Sequence, residues 1–273
     1  MKSFDGKIVY ITGGSSGIGL AAAKRLVASG SHLLLFARGE ERLVSSTEGL
    51  RARRRHDGQR VSWMQLDVSR KDQVDRVMAR AVAGFGAPDL LINCAGRAYP
   101  RRFEEISYEQ FEETMRTNFF SVWHTSSCLV PHMKKKGGCI ANVASMLGFV
   151  GIFGYTDYTA SKFAIMGFSE ALRSELKPCG IRVCVLCPPD TDTPAFQVEN
   201  QTKPEETKAI SAAAKILQPD EVARALLRGI RAGRFMILPS FEGKLTYLAK
   251  RLAPSLVNRV MDRAIRKVQR SRR

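Results

Sequence analysis

Apolar positions along the chain follow two alternating patterns. Short runs rich in β-branched and aromatic residues, KIVYITG (7–13), HLLLFA (32–37), RVSWMQLDV (60–68), PDLLINCAG (88–96), CIANVAS (139–145) and IRVCVLCPP (181–189), read as strands. Between them the apolar residues recur at helical spacing over 17–29, a basic stretch ending near His56, 71–85, one long helix over about 108–134, and a segment through Tyr158 to about Leu176. GRFMILPS (233–240), after a helical 219–230, reads as a seventh strand. Strand–helix alternation of this kind predicts an α/β fold: a doubly wound (Rossmann) parallel sheet of about seven strands with helices on both faces and ligands at the carboxyl ends of the strands.

Past Phe241 the helical stripe changes character. Leu245, Leu248 and Leu252 recur at helical spacing, Pro254 interrupts, and Leu256, Val257, Val260, Met261, Ala264, Ile265 and Val268 resume it on a basic background. The chain therefore divides into a domain over 1–240 and a basic amphipathic extension over 241–273. Formal net charge is +17 over 273 residues, and from Gly243 onward ten cations, Arg272 and Arg273 among them, face one acid, Asp262. Neither this tail nor RARRRH (51–56) carries interleaved aromatics or a recognition motif, so no specific nucleic-acid site is expected. An amphipathic basic helix suits the interface of an anionic membrane; the competing expectation is that the stripe packs on the catalytic body or on a second subunit.

The uncharged run GGCIANVASMLGFVGIFGYT (137–156) has the length of a membrane span, but its glycines and polar Asn142 and Ser145 divide it into a strand and an apolar loop. The opening MKSFDGKIVY lacks a signal-peptide pattern, and six scattered cysteines in apolar contexts point to a reducing, cytoplasmic setting, peripheral on the cytoplasmic face of a membrane if the tail binds lipid. Cys184 and Cys187 have a C-x-x-C spacing but no second pair to complete a metal site; core packing is the expectation, with no metal.

Candidate chemistry begins directly after the first strand, at TGGSSGIG (12–19). Glycines there let the backbone turn tightly against a pyrophosphate, and a helix opening near Gly17 presents free N–H groups and the positive end of its dipole. An acid that would hold the ribose hydroxyls of NAD is missing at the end of strand two, where LLLFAR brings Arg38, with Arg42 one turn later. A guanidinium suits the 2′-phosphate of NADP; the bland alternative is that Arg38 merely begins a solvated helix. In GYTDYTASKF (154–163), Lys162 lies one helical turn from Tyr158 and farther from Tyr155. An ammonium beside a phenol favours phenolate and lowers its pKa, which makes Tyr158 the candidate acid/base. Tyr155 either lines a substrate pocket or packs.

TGGSSGIG, NCAG (93–96), Ser145 and YTASK (158–162), in this order and spacing, resemble the short-chain dehydrogenase/reductase family over residues 7–188. The resemblance implies an NADP(H)-dependent oxidoreductase, with Tyr158 as general acid/base, Lys162 lowering its pKa and holding the nicotinamide ribose, Ser145 bonding the substrate oxygen, and Asn118 supporting a proton relay. It implies NADPH/NADP+ contacts from Gly13, Ser15, Ser16, Gly17, Ile18, Gly19, Arg38, Arg42, Asp67, Val68, Asn93, Ala95, Gly96, Tyr158, Lys162 and Pro188, and a homo-oligomer paired through the long helices after strands four and five. Cys94 stands where the family usually has asparagine. CPPDTDTPAF (187–196), in place of the family's usual Pro-Gly, and GIFGY before the tyrosine resemble the branch that reduces long-chain 3-keto sphingoid bases with NADPH. That branch implies Asp190, Thr191 and Thr193 over the cofactor, Phe196 in a lid, and a hydrophobic long-chain keto substrate, consistent with the apolar loop over 146–153. The alternative is another NADP(H)-dependent reductase of the family acting on a different hydrophobic ketone, a 3-oxoacyl thioester or a secondary alcohol.

Overall fold

The computed structural model describes residues 1–212 and 214–270, so Arg272 and Arg273 of the basic tail lie outside the described residues. Seven parallel strands, β1 (Ile8–Thr12), β2 (His32–Ala37), β3 (Val61–Gln65), β4 (Leu90–Asn93), β5 (Gly138–Val143), β6 (Ile181–Leu186) and β7 (Met236–Ile237), form one sheet in the order β3-β2-β1-β4-β5-β6-β7 among the described residues. Side chains alternate across a strand, and here both faces are dry. Val9 and Ile11 of β1, Leu33 and Leu35 of β2, and Leu90 and Ile92 of β4 face one apolar core; Tyr10, Leu34, Phe36 and Leu91 face a second.

Helices α1 (Gly17–Val27) and α2 (Glu40–Arg51) cover the first face. On the second lie α3 (Lys71–Phe85) and α5 (Ser121–Met133); a π turn, Arg116–Phe120, separates α5 from the preceding α4 (Tyr108–Met115). The single helix expected over 108–134 is thus interrupted, because the inserted residue turns the Asn118 side chain onto the backbone of Arg97. α6 (Thr156–Leu176) follows β5, and α7 (Pro194–Thr202) and α8 (Glu205–Ser211) follow β6. α9 (Pro219–Arg231) returns to the first face, where Leu226 and Ile230 join the core beside α1. The strand expected over 233–240 contracts to Met236–Ile237, paired with Val185 and Leu186 of β6.

The tail folds as α10 (Phe241–Leu252) and α11 (Pro254–Arg270), broken at Pro254 as the sequence predicts. Its stripe divides. Tyr247, Val257 and Met261 pack against a third cluster that holds Phe149, Val150 and Ile165, and the Phe149 and Tyr247 rings meet edge to face at 5.2 Å. Leu245, Leu248, Leu252, Leu256 and Val260 stay exposed. Among the described residues no helix is long and apolar enough to cross a membrane, no group of side chains could hold a metal ion, and all six cysteines are free thiols.

Candidate active site

Strand order reverses between β1 and β4, and the cleft opens at the carboxyl ends of these two strands. Thr12 closes β1, and its hydroxyl accepts hydrogen bonds from the Cys94 and Ala95 amides at 3.1 and 3.3 Å, fixing the turn after β4 beside the glycine-rich turn. Gly13 adopts φ +66°, and a Cβ placed there would lie 2.9 Å from the Ala95 amide nitrogen, so the two backbones meet only because side chain is lacking. A Cβ on Gly19 would lie 2.3 Å from the Gly13 carbonyl oxygen. Ser16 caps α1 without a capping hydrogen bond from its side chain, and the first turn carries no acid. A free hydroxyl, a glycine cradle and an unopposed helix dipole fit a pyrophosphate.

The cleft is a cavity of about 240 Å³ that joins Gly13, Ser16, Gly17 and Ile18 to Ala95, Gly96, Ser145, Tyr158, Lys162, Pro188, Asp190, Thr191 and Thr193. These sequence-designated residues converge from five separate segments. Ser15 and Gly19 shape the turn from behind: the Ser15 carbonyl accepts from Ser46 of α2 at 3.1 Å. Arg38 and Arg42 line a separate shallow depression with Glu40, Glu41 and Ser45 beyond β2. Asp67 receives the Ser69 amide and hydroxyl at 3.0 and 2.7 Å, which makes it the anchor of a turn, and the neighbouring Val68 carbonyl meets His124 Nδ1 at 3.0 Å. Asn93 is buried in a polar ladder instead, donating to Asn142 at 2.9 Å and accepting from Thr125 at 2.8 Å.

Asn118 is also buried away from the cleft. Its amide accepts from the Arg97 N–H at 2.8 Å and donates to the Arg97 carbonyl at 3.0 Å and to Ser161 Oγ at 2.9 Å. Ser161 in turn donates to the Tyr158 carbonyl at 2.6 Å. The side chain therefore ties the segment after β4 to the turn of α6 that carries the tyrosine.

Tyr158 and Lys162 share one face of α6, with Nζ 5.4 Å from the phenol ring centroid and donating to the Val143 carbonyl at 3.0 Å. The expected lowering of the phenol pKa by this ammonium is not what the protein alone produces. Burial first, and then the Glu199 charge, push the Tyr158 pKa well up, against an opposing hydrogen bond from Ser145. Burial also draws Lys162 down to about 8, so a desolvated ammonium is a weaker perturbant than the spacing suggests. Cys94 lines the cavity as a thiol that burial pushes up to about 11, hence as a packing residue.

Two ionisable residues that sequence patterns passed over enter from α7 and its end. Glu199 receives a hydrogen bond from the Tyr155 hydroxyl, and Lys203 Nζ lies 3.5 Å from Glu199 Oε1 and 3.3 Å from Asp190 Oδ2. Glu199 and Lys203 have the i, i+4 spacing of a helix pair, the one sequence signal that could have found them. Tyr155 is both packed and lining. Of the apolar loop over 146–153, Leu147 and Ile152 reach the cavity, whereas Phe149 and Val150 turn into the third cluster beneath α10.

A parallel sheet whose switch point faces a dinucleotide cradle, with Ser145, Tyr158 and Lys162 at its far side, defines a nucleotide-dependent oxidoreductase architecture. The family model for short chain dehydrogenase matches residues 7–204, and the chain belongs to that family. A 3-dehydrosphinganine reductase of Danio rerio is 40% identical over 233 residues, covering 85% of this chain and 70% of that protein. A 3-ketodihydrosphingosine reductase of Dictyostelium discoideum is 38% identical over 255 residues, covering 88% and 76%. Among solved structures, a short chain dehydrogenase/reductase from Burkholderia phymatum in complex with NAD superposes with TM-score 0.84 at 26% identity, covering 94% of this chain and 96% of that one. A short-chain dehydrogenase from Sphingobium yanoikuyae in complex with NADPH gives TM-score 0.78 at 27% identity over 92% and 94%.

Proposed function

We propose that the protein is an NADPH-dependent reductase of long-chain 3-keto lipids, converting 3-ketodihydrosphingosine to dihydrosphingosine. The observation that carries this reading is the convergence of Ser145, Tyr158 and Lys162 with the glycine cradle in one cavity, in a chain whose relatives are named for that reaction across most of its length. Gly13, Ser16, Gly17 and Ile18 would hold the pyrophosphate, Lys162 the nicotinamide ribose, and Pro188, Asp190, Thr191 and Thr193 the nicotinamide end. Arg38 and Arg42, with no acid at the end of β2, favour a 2′-phosphate.

Bound NADPH supplies a hydride to the carbonyl carbon. Tyr158 donates the phenolic proton to the carbonyl oxygen, and Ser145 orients that oxygen with a hydrogen bond. The burial that raises the phenol pKa keeps it protonated, the state that reduction requires. Lys162, anchored on the Val143 carbonyl, stabilises the phenolate left behind. Side-by-side turnover of 3-ketosphinganine and a short 3-oxoacyl thioester, with NADPH and NADH, tests the reading: faster NADPH oxidation with the thioester overturns it.

The division at residue 240 belongs to the same reading, with chemistry in 1–240 and lipid contact in the extension. Its support is the exposed stripe from Leu245 to Val260 on a basic background, a surface that suits the anionic cytoplasmic face of a membrane. Exposed Phe120 and Trp123 before and on α5, and Phe163 on α6, support pairing of two copies through those helices.

A further inference from the structure

The mechanism leaves Glu199 and Lys203 unused. Asp190, Glu199 and Lys203 meet at the end of the cavity beside Tyr155, with Lys203 Nζ within 3.5 Å of both carboxylates and 4.2 Å above the Phe196 ring. Two carboxylates against one ammonium leave a net negative charge in a largely dry place. The two other cations that line the cavity are engaged elsewhere: Lys162 with the Val143 carbonyl, and Arg97 with Glu113. The hydrogen bond from Tyr155 and the contact with Lys203 both fall on Oε1 of Glu199, on one side of the carboxylate. Burial pushes the Glu199 pKa up, a penalty that a cationic partner would relieve. The carboxylate also lies near enough to Tyr158 for its charge to disfavour the phenolate. Leu147, Ile152 and Phe196 supply apolar walls around it.

We propose that Glu199, through Oε2, receives the protonated amine of a 2-amino-3-keto lipid, and so selects amino ketones over 3-keto chains that lack the amine. The inference rests on the substrate class proposed above and adds the group that recognises it. In such a substrate the nitrogen sits on the carbon next to the carbonyl, so an oxygen held by Ser145 and Tyr158 leaves the ammonium one carbon away, on the Glu199 side. Asp190 and Tyr155 keep Lys203 and the carboxylate in place, which makes them positioning residues. A plain 3-oxoacyl chain would leave this charge without a partner.

The test uses a water-soluble short-chain 2-amino-1-hydroxy-3-ketone and its counterpart lacking the amine, both with NADPH and the full chain. The wild-type protein is expected to prefer the amino ketone by about 10- to 100-fold in kcat/KM, the range for a charged hydrogen bond. Glu199→Gln should bring that ratio to within about twofold of unity and weaken calorimetric binding of the reduced amino alcohol by a similar factor; fluorescence titration with NADPH reports whether the variant is folded. Glu199→Asp, with the charge on a shorter arm, should keep part of the preference. An unchanged ratio in Glu199→Gln overturns the proposal. So does equal turnover of the two ketones by the wild-type protein, a result that needs no variant. If the wild-type protein reduces neither these ketones nor 3-ketosphinganine, the activity reading itself fails, and that outcome is distinct from a lost preference.

Discussion

Tyr158 and Lys162 show how a residue pair can be legible in a sequence while its electrostatics are not. Helical spacing put them on one face, and they are found there. What spacing omits is that both sit in a dry cleft, where burial outweighs the neighbour's charge and moves the phenol up and the ammonium down to about 8. Glu199 and Lys203 escaped notice for a related reason: an i, i+4 pair of opposite charge is ordinary on a solvated helix, and only the fold turns this one inward. Tyr158→Phe is expected to lower turnover of the keto lipid by about 10²- to 10⁴-fold while NADPH still binds, as measured by NADPH oxidation alongside fluorescence titration. Lys162 also makes a pH-dependent contribution to stability. Its folded-state pKa of about 8 lies below the ordinary 10.5, so between those values the unfolded chain binds more protons and stability rises with pH. Lys162→Met removes this slope. The stability of wild type minus variant, from denaturant titrations without dinucleotide, should climb by on the order of 3 kcal/mol from below pH 8 to above pH 10.5.

At the level of elements, the strands were readable because both faces of the sheet are covered, which demands near-continuous apolar runs such as HLLLFA. The seventh strand is an exception. Its pairing ends after Ile237, although the apolar pattern continues to Leu238. The break between α4 and α5 was hard to read because a π turn keeps the chain helical and only shifts the phase of the apolar pattern by one residue. α7 and α8 lay in a polar stretch whose helical form depends on capping by Thr193, which accepts from the Phe196 amide at 3.1 Å, and on packing against the cleft. The glycine turn is the most exacting element. Gly19→Ala would press a methyl group against the Gly13 carbonyl, and the turn must shift to admit it. The variant is expected to lose roughly 1–3 kcal/mol of stability by thermal or chemical unfolding and to bind NADPH at least tenfold more weakly, with the folded sheet still visible by circular dichroism.

For the molecule as a whole, the tail is neither free nor fully absorbed. Tyr247, Val257 and Met261 cover Phe149 and its neighbours, and the outer leucines remain in solvent. Deletion after Ser240 is therefore expected to do two separable things. It should lower stability by roughly 1–3 kcal/mol through lost burial; and if the extension binds lipid as proposed, the intact protein should float with anionic liposomes at low salt and not at high salt, and the deletion should abolish that flotation. Flotation that survives the deletion would dissociate the extension from lipid contact. α11 packs along α8, and α8 carries Thr207, which borders the cleft and donates to the Phe153 carbonyl at 2.7 Å. A bilayer gripping the outer leucines would tug on the wall against which the reacting chain lies. If the extension does sit on a bilayer, headgroup composition and surface pressure would become variables of turnover, and rates taken in detergent and on vesicles would differ even where the chemistry at Tyr158 is identical.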